Sequence, residues 1–158
     1  MKRLVLITVL AALGAAASLA TPPTSRAEVV NVTLNIAADP RPNPCSPGDV
    51  VNLSGRLHIV YYVRADRQGG FHLSQLVDEK ARGISFLTNL SYQGSDTYTH
   101  SFYAGAPFPV TDTMTHSILL TSRGAAQNLL MGYDLHTTVN ATGIPTATVD
   151  NVRLSCTG

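Results

Sequence analysis

From Val51 to Arg64 the chain alternates without a break. Val51, Leu53, Gly55, Leu57, Ile59, Tyr61 and Val63 share one parity, and Asn52, Ser54, Arg56, His58, Val60, Tyr62 and Arg64 share the other. A period of two sends successive side chains to opposite faces, so this stretch reads as a β-strand with one face against a core. It is longer than an ordinary strand. Gly55 on the apolar parity predicts a bend or a close backbone approach, as at a barrel corner or in a folded-over sandwich.

The same pattern recurs along the chain. Val30, Val32, Leu34 and Ile36 alternate with polar residues, and a Pro-rich loop over 40–49 follows and carries Cys45. Ala65 to Gly70 reads as a turn into a return strand, Phe71 to Val77. Asp78 to Gly83 is dense in charge and is expected to be a solvent-facing loop or a single helical turn. Ile84 to Tyr92 is a further strand, Gln93 to Asp96 a turn, and Thr97 to Tyr103 its partner. Met114, His116, Ile118 and Leu120 alternate in the next strand, followed by one with Leu129, Met131, Tyr133, Leu135, Thr137 and Val139 on one side. The last strand, Thr146 to Cys156, changes phase near Asp150 and Asn151, which predicts a β-bulge. No helical period and no internal repeat is present. The expected fold is all-β: a single antiparallel domain of about eight or nine strands, a closed barrel or a strongly curved sandwich.

The N-terminus has a different character. Lys2 and Arg3 precede an uncharged run from Leu4 to Ala20, the layout of a cleaved signal peptide. Small residues precede two cleavage points, one before Thr21 and one before Glu28. The second fits better because the strand pattern starts there, giving a signal over 1–27 and an all-β domain over 28–158. An uncleaved anchor is the alternative, since the run approaches the ~20 residues of a bilayer span; cleavage leaves no stable membrane span. It also removes Lys2, Arg3 and Arg26, so eight of the eleven basic residues face all ten acidic ones. That balance excludes a phosphate-tracking surface, and hence a nucleic-acid partner.

An exported chain with two cysteines, Cys45 and Cys156, is expected to join them in one disulfide. No Cys-x-x-Cys motif suggests redox or zinc chemistry. His58, His72 and His136 fall on the polar parity of their strands, with Asp134 beside His136, and would form a metal site only if those strands were neighbours. No pair shows ligand spacing, and a hairpin would set His58 and His72 several residues apart, so polar strand faces are the simpler reading and no metal or cofactor is assigned. His100 and His116 have less support still. Hydrolytic chemistry has no Gly-x-Ser-x-Gly elbow, and Glu79 lies in the charged segment where burial would not tune it. No residue is assigned as catalytic. Sequons at Asn31, Asn52, Asn89 and Asn140 matter only in a glycosylating host.

Asn43-Pro44-Cys45, Leu53-Ser54-Gly55-x-Leu57-His58-Ile59-Val60, Gly69-Gly70-Phe71-His72 and Val149-Asp150-Asn151-Val152-Arg153-x-x-Cys156 together resemble a group of small exported bacterial proteins of unassigned function. The resemblance covers residues 43–65, 69–72 and 133–156. It implies a bacterial, extracytoplasmic β domain with Cys45 paired to Cys156, and it brings no catalytic residues. The functional expectation is therefore a secreted, periplasmic or cell-surface domain, not an enzyme, that binds a surface partner or a small apolar ligand. In a barrel, Leu53, Leu57, Ile59, Tyr61, Met131, Tyr133 and Leu135 would line the ligand site; in a sandwich they would fill the core. The rival expectation is a metal-dependent or hydrolytic enzyme using His58, His72, Asp134 and His136.

Overall fold

A computed structural model describes residues 27–157, and the leader reading lies outside them. Seven antiparallel strands follow one another in a meander: β1 (Glu28–Pro42), β2 (Val50–Ala65), β3 (Phe71–Ser85), β4 (Ser91–Ala104), β5 (Val110–Ser122), β6 (Leu129–Val139) and β7 (Pro145–Cys156). Each pairs with its neighbour in sequence, and the sheet curls strongly on itself. β1 is itself broken by a bulge between Ile36 and Asp39. Opposite that bulge lies Gly55, where an added Cβ would sit 3.0 Å from the Lys80 carbonyl oxygen, so the close approach expected of this glycine is present.

Two long ladders account for the fold. β1 to β4 form one, β5 to β7 the other, and among the described residues their backbones pair only where Tyr92 and Gln93 of β4 meet Ser122 and Thr121 of β5. Gly94 makes this junction feasible, because a Cβ there would lie 2.3 Å from the Leu119 carbonyl oxygen. At the far side Cys45, in the loop after β1, is bonded to Cys156 at the end of β7. Among the described residues no helix is long and apolar enough to cross a membrane.

The inner parity of both ladders forms one core. Val51, Leu53, Leu57, Ile59 and Tyr61 of β2 pack with Leu129, Met131, Tyr133, Leu135 and Val139 of β6. Each large side chain so buried contributes about 1.5–3 kcal/mol relative to exposure. The bulge expected in β7 is present: Gly132 faces Arg153 while Asp134 faces Asp150, and Asn151 takes φ 48°.

Several local expectations are corrected. Asp78 to Gly83 is not a loop but the second half of β3, with Asp78, Lys80 and Arg82 exposed and Glu79, Ala81 and Gly83 buried. Charge density there marks one solvated face of a strand, which a reading by composition mistakes for a solvated segment. Phe71–Val77 and Ile84 therefore belong to one strand, and the true turn is Phe86 to Leu90. Gln93 to Asp96 lies within β4, where Gly94 serves a close strand crossing and not a turn. The Pro-rich segment enters β1 as far as Pro42, which an edge strand tolerates because one side of its backbone has no ladder to supply.

A candidate ligand slot between the fourth and fifth strands

Beyond the Gln93–Thr121 pair, β4 and β5 run on without a ladder between them, and inner-parity side chains bridge the gap. His100 Nε2 lies 2.9 Å from Asp112 Oδ2, and the rings of Tyr98 and His116 lie 3.9 Å apart between centroids, tilted by 31°. His116 Nε2 sits 3.2 Å from Asp96 Oδ2 and 3.4 Å from Glu79 Oε1. The cluster runs from Asp96, whose side chain is 47% exposed, inward to Glu79, which is only 2% exposed.

Glu79 is the floor of this slot. Its Oε2 accepts a hydrogen bond from the Tyr133 hydroxyl, and the Tyr98 and Tyr133 hydroxyls are 3.1 Å apart. Its buried Oε1 accepts no hydrogen bond. Burial pushes the Glu79 carboxyl upward from its ordinary value, partly offset by the Tyr133 hydrogen bond and the nearby His116. Burial likewise drives Tyr98 and Tyr133 further from ionisation, and for Tyr133 the adjacent carboxylate adds to the effect. A second buried chain lies one layer along: Tyr61 OH is 2.9 Å from Thr137 Oγ1, which donates to Gln75 Oε1 at 3.2 Å.

The residues singled out from the sequence lie elsewhere. His58 and His72 are on the outer face of the first ladder, and His72 pairs with Arg64, six positions past His58 on β2. His136 and Asp134 share the outer face of β6 but do not bond each other. His136 contacts Thr113 and Asp150, while Asp134 accepts from Thr115 and Asn151. Leu53, Leu57, Ile59, Tyr61, Met131, Tyr133 and Leu135 are packed in the core. An open groove of about 540 Å³ lies at one end of the first ladder, lined by Tyr62, Val63, Leu73 and Phe102 among others.

Glu79, Asp96 and His116 were not legible from composition, but parity carries them. Leu73, Gln75, Val77, Glu79 and Ala81 continue one alternation, and His116 stands between Met114 and Ile118 on the apolar side of β5. The fold and this cluster define a curled antiparallel β domain with polar side chains between two unpaired strand segments and a buried acid, Glu79, beneath them. The chain matches no family model, no curated protein and no solved structure.

Proposed function

We propose that this protein is an exported binding domain that takes up a small cationic ligand in the slot between β4 and β5. The observation that carries this reading is the Glu79 carboxylate, held deep in the protein with Oε1 facing the slot and accepting no hydrogen bond. An uncompensated buried carboxylate oxygen is costly, and a cation is the ligand that removes the cost. Asp96 at the mouth adds a second negative group, and the Tyr98 face lines the wall. Both slot tyrosines are held firmly protonated, which suits retention of a ligand and not its turnover. Export is supported by the charged-then-apolar N-terminus and by the Cys45–Cys156 bond, which persists in oxidising compartments. The apolar-ligand expectation loses ground because its seven lining residues pack against one another.

Native mass spectrometry of the protein recovered from its secretion medium tests this reading, together with NMR titration by a panel of metal ions and organic ammonium ions. The expected result is a retained or added cation that perturbs the Tyr98 and His116 resonances and is lost in Glu79→Gln. A bare mass, and no perturbation of those resonances by any cation of the panel, would sink it.

A further inference from the structure

We propose that Glu79, Asp96 and His116 form a binding site for one divalent transition-metal ion, with zinc the best match to the donor set. This deepens the cation-slot reading and rests on it.

The first argument is a count of protons. His116 Nε2 lies 3.2 Å from Asp96 Oδ2 and 3.4 Å from Glu79 Oε1, yet a ring nitrogen carries at most one hydrogen. It cannot serve both carboxylates, and Glu79 Oε1 is the atom left without a hydrogen bond. One metal ion in place of that hydrogen would bond to all three donors.

The second argument is geometric. Ligand atoms at ~2.0–2.2 Å from a tetrahedral zinc stand roughly 3.3–3.6 Å from one another. The two histidine–carboxylate separations fall at or close to that range, and all three donor atoms lie within 4.8 Å of each other. The three donors come from β3, β4 and β5, two of them adjacent ladder partners, since Glu79 pairs directly with Asp96. The solvent side at Asp96 leaves the fourth position for water.

Donor type and surroundings agree. An imidazole with two carboxylates suits zinc and neighbouring first-row ions, whereas calcium and magnesium seek six or more oxygens. The carboxylate that would bind the ion through Oε1 is fixed through Oε2 by Tyr133, which Tyr98 contacts in turn. Such outer hydrogen bonds orient the ligands of a metal site.

The test is calorimetric titration of the chelator-treated full mature protein with zinc chloride, and in parallel with calcium and magnesium chloride, backed by thermal unfolding. The expected result is one zinc per chain, a raised melting temperature, and no response to calcium or magnesium at the same concentration. Asp96→Asn, at the exposed mouth, and His116→Ala should each weaken zinc binding about tenfold or more. His136→Ala, on the outer face, should leave it unchanged. Zinc binding that survives in Asp96→Asn and His116→Ala, or that is lost in His136→Ala, would overturn the proposal. So would the absence of zinc binding to the parent protein. In that last case an organic ammonium ion that shifts the Tyr98 and His116 resonances would leave the cation-slot reading standing, whereas silence from both would remove it too.

Discussion

The hydroxyl of Tyr133 donates to the carboxylate of Glu79 across the interior, joining β6 of one ladder to β3 of the other over 54 residues of sequence. Polar contacts between facing sheets are uncommon because each partner must give up water. Here the contact also reaches Tyr98 and, through Glu79, His116, so the slot and the core share side chains. Tyr133→Phe leaves a buried carboxylate oxygen without its donor and should lower stability by about 1–3 kcal/mol. In a double-mutant cycle with Glu79→Leu, measured by urea unfolding, the two effects should fall short of additivity by about 0.5–3 kcal/mol. Simple additivity would show that the two groups are not coupled.

Asp49 organises the opposite end of the first ladder. It is buried and accepts from Asn43 Nδ2 at 2.8 Å, Ser85 Oγ at 2.7 Å, and the backbone amides of Val50 and Leu87. Burial alone would raise its carboxyl, but the hydrogen bonds together outweigh burial and hold it below the ordinary 3.8. A folded-state value below the unfolded one means that, as pH falls, the unfolded chain takes up the proton before the folded protein does. Its contribution is therefore present above about pH 3.8 and is lost as pH drops through the folded-state value. Urea midpoints measured from about pH 5 to pH 2 should fall less steeply for Asp49→Asn than for the parent. Equal slopes would show that Asp49 is not the titrating group.

How much of this was legible in the sequence depends on which periodicity was followed. Alternation in Val51–Val63 and Leu129–Val139 placed the core residues correctly, and the parity change near Asp150 located the β7 bulge. Composition misled where it competed with parity. Four charges in Asp78–Arg82 suggested a loop, although three of those side chains occupy one outer face and the fourth, Glu79, turns inward. The slot was illegible for a different reason: it forms where β4 and β5 cease to pair, and a ladder's end leaves no mark in either strand's alternation.

The junction of the two ladders is narrow enough to be tested by a single methyl group. At Gly94 a Cβ would stand 2.3 Å from the Leu119 carbonyl oxygen, a backbone atom that cannot rotate away. Gly94→Ala should cost about 1–3 kcal/mol, the range for overpacked sites. Hydrogen exchange should quicken first at the Gln93 and Thr121 amides. Unchanged exchange there would show that the close crossing is not what limits the junction.

The disulfide closes a sequence separation of 111 residues. Loop-entropy reasoning gives a crosslink of this span up to about 4.7 kcal/mol, with 2–5 kcal/mol the usual loss on removal from a small exported domain. The Cys45→Ser, Cys156→Ser double variant should unfold at a correspondingly lower urea concentration. A midpoint equal to the parent's would mean that the chain ends are held by the sheet alone.

The extra residue in β7 decides more than a local kink. Pro145, Ala147 and Val149 face inward before it, and Val152, Leu154 and Cys156 face inward after it. Were β7 to run straight through Asn151 without the bulge, strict alternation would set Arg153 and Ser155 against the apolar interior in the place of Val152 and Leu154, if the pairing before Asn151 were kept. If instead the pairing after it were kept, the first half of the strand would invert. Either way one half of β7 is turned over. The covalent closure of the domain thus depends on a single-residue irregularity that delivers both the start and the end of β7 to the same side of the sheet.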